Sequence, residues 1–174
     1  MVKEHTSDLI TRLGEPVLPY GRLDDQSKEL LDGECDDFSA KTVNHTNNGK
    51  PNINYDLLVE ECSDLLKLPY VKKFLWLIDF DDDRNLRLRL IPEQTENKNR
   101  KHKQIVCHSN FTSCGEAIQG GECWWCDKTE TIFINPRSGR YGASSENEWN
   151  AVVEFFQHIY KNVVNLFDKV NWAK

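Results

Sequence analysis

An α+β fold, an antiparallel sheet of about five strands packed by two main helices, is what this sequence predicts. Three patterns carry that reading: the apolar run Phe74-Leu75-Trp76-Leu77-Ile78, strict alternation in Leu86-Arg87-Leu88-Arg89-Leu90, and an apolar helical stripe from Val152 to Phe167. The chain has 174 residues, enough for one packed domain and a separate N-terminal element.

Residues 1–53 are expected to form an acidic, loop-rich arm lying on the main domain, and 54–174 the α+β domain itself. In the arm, Leu9, Ile10 and Leu13 offer one short helix face. Pro16, Pro19, Gly21 and Gly33 then interrupt any periodicity, and residues 36–50 are polar and loop-like. The run Asn47-Asn48-Gly49-Lys50-Pro51 marks the boundary. Beyond it Leu57, Leu58, Cys62, Leu65 and Leu66 recur at helical spacing, predicting a helix over 54–67 that Pro69 ends. Val71 to Phe80 reads as a buried strand. Asp81 to Asn85 supplies turn residues, and Leu86 to Leu90 returns to complete a hairpin with one wet face. Glu93 to Lys103 is polar and without periodicity, so it reads as an exposed loop. Three further strands follow at about 104–111, 116–126 and 130–135, with Asp127-Lys128-Thr129 turning between the last two. Ser144 or Ser145 could cap a final helix over 145–168, with Glu148 three residues after Ser145 completing a capping box.

No window approaches the roughly 20 apolar residues a membrane-spanning helix needs. The polar opening Met1-Val2-Lys3-Glu4-His5 is not a secretory signal. Net charge is −6, with 18 acidic against 9 basic residues over 1–83 and 10 against 13 over 84–174. A nucleic-acid binder is more often basic overall, so Lys98, Arg100, Lys101 and Lys103 do not outweigh that balance. Six cysteines, at 35, 62, 107, 114, 123 and 126, without a leader point to the cytoplasm; an even count fits disulfides too, but their uneven spacing reads better as reduced core thiols.

Four clusters offer chemistry. Asp79, Asp81 and Asp83 have the start of a calcium-loop spacing, but Arg84 stands where glycine is needed and Leu90 where glutamate is needed. An Asp79-x-Asp81 metal pair is the remaining device there, set against a plain acidic turn. Cys123-Trp124-Trp125-Cys126 has C-x-x-C spacing, yet in a strand residues three apart face opposite sides. With Cys107, Cys114, His102 and His108 it could complete a zinc site only without standard spacing, so buried thiols are the favoured reading and no metal is assigned. His108 and Ser109 bring a base and a hydroxyl; on a strand they would point apart, leaving Glu122 as the partner for His108. The bland counterpart is a core histidine bonded to a neighbouring strand. Finally Arg137-Ser138-Gly139-Arg140-Tyr141 follows Pro136 just before a helix. Its guanidiniums, its serine and the helix amides at 144–148 could together hold a phosphate or carboxylate.

Three of these elements, His108-Ser109-Asn110-Phe111, Gly120-Gly121-Glu122 and Ser138-Gly139-Arg140-Tyr141, stand in a fixed order before a helix. In that order the sequence resembles a domain of plant IQ-motif calmodulin-binding proteins and related fungal and bacterial proteins. That domain carries His-Ser-Ser-Phe, Ala-Gly-Glu or Ala-Gly-Arg, and Ser-Gly-His-Tyr. The resemblance spans roughly residues 70–160 and includes the hairpin from Phe74 to Leu90. It departs at Asn110, Gly120 and Arg140. A guanidinium cannot act as an acid or base near neutral pH, so Arg140 in place of histidine implies a binding or altered-specificity relative. No IQ motif is present, and calmodulin is not implied as a partner.

The expected function is a cytoplasmic ligand- or protein-binding domain of effector or stress-response type. Ser109, Arg137, Ser138 and Arg140 would bind a small anionic ligand beside His108, Glu122 and Tyr141. The alternative is an enzyme acting on a nucleotide or nucleotide-sugar, resembling an ADP-ribosyl transferase, in which His108, Glu122 and Tyr141 are catalytic and Glu122 (or Glu148) stabilises an oxocarbenium. A third reading makes the acidic N-terminal half a protein contact surface. No cofactor is indicated, and neither a nucleic acid nor a membrane is expected as partner.

Overall fold

The computed structural model describes residues 6–19, 35–36, 40–43, 74–92, 94–96, 103–105, 107–126, 130–138, 140–143 and 145–166. Their elements are helices α1 (Thr6–Leu13) and α2 (Glu146–Ile159) and strands β1 (Lys41–Thr42), β2 (Phe74–Phe80), β3 (Leu86–Pro92), β4 (Gln94–Glu96), β5 (Lys103–Ile105), β6 (Gln119–Cys126), β7 (Thr131–Asn135) and β8 (Asn162–Asn165). The main sheet runs in the order β1-β3-β2-β6-β7-β8, and β4 and β5 pair separately. All neighbours in the main sheet are antiparallel except β7 and β8. The α+β class therefore holds, with a mixed sheet in place of a purely antiparallel one. The helix expected over 54–67 and the turn at 127–129 lie outside the described residues.

β2 is central and buried on both sides, which is why its sequence reads as a continuous apolar run. Its alternate residues divide between two cores. Trp76 and Ile78 join Leu88, Leu90, Cys123, Ile132 and Ile134 beneath both helices, where α2 contributes Trp149, Val152 and Phe156 and α1 contributes Leu9 and Leu13. Leu75 and Leu77 face the other way and pack with Ile91, Phe111, Ala117 and Tyr141. The face expected to be wet is largely covered, since Phe111, Ala117 and Tyr141 pack on Leu75, Leu77 and Ile91, while Arg87 keeps 31% of its side chain exposed. Asp79, 5% exposed, accepts from Arg87 Nε at 2.7 Å and Nη2 at 3.1 Å, and also from Arg89.

Three expectations are corrected here. The stretch Glu93 to Lys103 is not all loop, since β4 and β5 form a short ladder from it. The predicted strand over 104–111 ends at Ile105, and His108–Phe111 forms a 3₁₀ turn. The final helix stops at Ile159 instead of 168, because Tyr160 turns extended and Val163 and Val164 pair with Ile132 and Phe133 in β8. β7, α2 and β8 make a β-α-β unit, the connection that a parallel pair requires. Two β-branched residues gain more from that ladder than from another helical turn. Ser145 caps α2 as expected, accepting from Glu148 N at 3.2 Å.

Parts of the N-terminal arm are built into the domain. α1 packs on α2, with Arg12 bonded to Glu154. Val17 bridges to Ala117, and β1 extends the sheet beside β3.

Candidate functional site

The sequence-predicted residues meet on the sheet face opposite the helices. Gly120 and Glu122 of β6 project there, across from Leu77 and Leu75 of β2. Over them lies the 3₁₀ turn that carries His108. A Cβ built at Gly120 would stand 2.9 Å from His108 Cδ2 and 3.3 Å from Ser138 Oγ, so the missing side chain is what admits the imidazole. Gly121 faces the other core, where a Cβ would overlap the Trp76 indole. The adjacent glycines serve two rings on two faces.

His108 is buried, stacked on Phe111 with ring centroids 6.1 Å apart, and its Nε2 lies 2.7 Å from Gly121 O. A carbonyl can only accept, so Nε2 carries the proton and Nδ1 the lone pair. Burial pushes the imidazole down to a pKa of about 4, against the opposing pull of the Gly121 carbonyl and of the Glu122 charge. The ring is neutral at pH 7.

Glu122 is paired with Asn135, and His108 with Gly121 O, instead of with each other. Its Oε1 accepts from Asn135 Nδ2 at 3.1 Å, while Asn135 Oδ1 accepts from Glu122 N at 3.1 Å and from Arg137 N at 3.0 Å. Asn135 thus ties the buried carboxylate to the exposed end of β7. Arg137 stands there in solvent, and Arg140 is half-buried a turn further on. Ser138 Oγ organises this loop by accepting from Arg140 N at 3.3 Å and Tyr141 N at 3.0 Å. Asn135 was missed in the sequence. Its only signal was a polar residue ending an apolar strand just before Pro136.

The other predicted residues have structural occupations. Tyr141 is fully buried, and its hydroxyl donates to Gly115 O at 2.7 Å with Thr112 Oγ1 at 3.1 Å. Ser109 is fully buried too, and its carbonyl accepts from Thr112 N at 3.3 Å and Cys114 N at 3.0 Å. The amides of α2 do not complete an anion site: Ser145 caps them, and Glu146 and Glu148 occupy the first turn. Glu148 instead reaches Gln119, whose amide also caps α1 by donating to Leu13 O at 2.8 Å.

The cysteines depart furthest from expectation. Cys35 and Cys114 are joined in a disulfide, so the six thiols are not all reduced. Cys123 is buried on the helix-covered face, where desolvation first and the Glu122 charge second push its thiol far above its ordinary range. It is a poor thiolate, which removes the redox reading of Cys123-x-x-Cys126. Cys114 is oxidised, and His108 lies across the sheet from Cys123, so these residues do not gather around a zinc. The Asp79-x-Asp81 carboxylates are engaged elsewhere: Asp79 is held by two arginines, and Asp81 Oδ1 accepts from Asn85 N at 2.8 Å.

No protein-family model, curated protein or solved structure matches this chain. No described helix is long and apolar enough to cross a membrane.

Proposed function

We propose that this protein binds a small anionic ligand that also presents hydrogen-bond donors, such as a nucleotide or a phosphorylated sugar. The bridge made by Asn135 carries the reading. It joins a buried acceptor, Glu122, to the backbone of Arg137, a cation exposed to solvent. A ligand phosphate at the rim would meet Arg137 and Arg140, and its hydroxyl or amino groups would meet Glu122 and the Nδ1 lone pair of His108. Asn135 positions Arg137 and Ser138 positions Arg140, while Tyr141 holds the loop down through Gly115 O.

For His108, holding a ligand is favoured over serving as an enzyme's general acid or base. Proton transfer is most effective when the catalytic pKa lies near the working pH. His108 at about 4 is far from it. The resemblance to the plant IQ-motif protein domain points the same way, since Arg140 stands where that domain has its histidine. A cytoplasmic setting belongs to this proposal only if the Cys35–Cys114 bond is one that cellular reductants open.

A thermal-shift panel of inorganic phosphate, NAD, nucleoside phosphates, nucleotide-sugars and sugar phosphates tests it. A ligand at a hundred times its Kd should stabilise the fold by about 2.7 kcal/mol, a shift of a few degrees. Stabilisation that disappears in Arg137→Gln supports the proposal. A panel with no stabilising compound refutes it and leaves a protein-contact role as the reading to pursue.

A further inference from the structure

We propose that the Cys35–Cys114 disulfide is a thiol–disulfide exchange site, and that its reduction by a dithiol frees the turn holding His108. The bond joins positions 79 apart in sequence, and Cys35 is exposed while Cys114 is half-exposed, so a reductant can reach it. On the far side of Cys114 the turn is conformationally costly. Ser113 and Cys114 have φ of 50° and 65°, two consecutive left-handed residues without a glycine. Such a pair persists only where its surroundings impose it.

Two ties fasten residue 35 and its neighbour to this turn. One is the disulfide itself. The other is Asn110, whose Nδ2 donates to Asp36 O at 2.8 Å while its Oδ1 accepts from Cys107 N at 2.8 Å. Cys107 and Asn110 bracket His108. The strands beneath depend on neither tie, because β2, β6 and β7 are held by their own ladders and by α2. Opening the bond therefore acts on the turn and leaves the sheet standing.

The exchange proceeds in two steps. A thiolate of the dithiol attacks Cys35 Sγ, the S–S bond breaks, and Cys114 Sγ leaves as a thiolate that takes up a proton. The second thiolate of the reductant then attacks the mixed disulfide and releases the Cys35 sulfur, which is protonated in turn. Two electrons pass from the dithiol, which ends as its own disulfide, and its two protons end on the cysteines.

Any effect on affinity rests on the binding role proposed above, but the latch can be read without a ligand. Amide hydrogen exchange of the intact chain would be followed before and after treatment with dithiothreitol, and in Cys35→Ser without reductant. Exchange over 109–115 should quicken at least about tenfold in both cases, with β2, β6 and β7 unchanged. Unaltered exchange in the turn overturns the latch. So does equal loss of protection across the sheet, which would make the bond a staple of the whole fold. A working latch with no ligand found in the thermal-shift panel would count against the pocket alone.

Discussion

A methyl group at position 120 would press on the His108 ring, and one at 121 would overlap both Trp76 and the Asn135 carbonyl. The two substitutions should therefore differ in severity. Gly120→Ala can be met by a displaced imidazole, costing about 1–3 kcal/mol as overpacking does. Gly121→Ala strikes backbone and a core indole, so it should cost more; equal denaturant midpoints for the two would contradict the packing described. His108 gives the residue-scale pH prediction. Its folded pKa is about 4 against 6.5 ordinarily, so between these values the unfolded chain binds the extra proton. Stability from this group is complete above about pH 6.5 and falls as pH drops towards 4, by roughly 3 kcal/mol at most. In His108→Gln that part of the pH slope should vanish. An unchanged slope between pH 6.5 and 4 would mean that the histidine is not buried neutral. A core histidine bonded to a neighbouring strand was legible as one of two readings of His108, and it is the one the structure shows; the turn that carries the ring was not legible. Adjacent residues in a presumed strand gave His108 the wrong backbone, and a Gly-Gly pair does not say which rings it admits.

At the scale of elements, the β2–β3 hairpin was readable because apolar runs and alternation report burial directly. What alternation could not report is the other face. Arg87 and Arg89 read as solvated, yet both converge on Asp79. Asp79→Asn leaves two arginines facing a neutral amide, one of them nearly buried, and should cost on the order of 3 kcal/mol in urea unfolding. A loss below about 0.5 kcal/mol would mark the cluster as an ordinary surface pair. α2 was read correctly at its start, where Ser145 and Glu148 sit at fixed offsets. Its end was overrun because Val163 and Val164 keep helical spacing with Phe156 and Tyr160, and only pairing with β7 separates strand from helix. Ser145→Ala should lower stability by about 1 kcal/mol through the lost cap, measurable as a shifted thermal midpoint.

Taken together, the described residues form a mixed sheet with helices on one face and loops on the other, and the polar cluster belongs to the loop side. The set His108, Glu122, Ser138 and Arg140 was legible as a region, since short motifs kept their order along the chain. Its internal wiring was not, because Asn135 joins Glu122 to Arg137 through tertiary contacts that no spacing encodes. The disulfide was illegible for the same reason: 79 positions separate its cysteines. In the proposed site, Arg137 and Arg140 receive an anion beside a neutral histidine. Calorimetric titration of the compound that most stabilises the fold, into the native chain and into Arg137→Gln and Arg140→Gln, tests it most directly. Binding at least tenfold weaker, about 1.4 kcal/mol, is expected in each variant, with thermal midpoints within the range of surface substitutions. Equal affinity in both variants would contradict it.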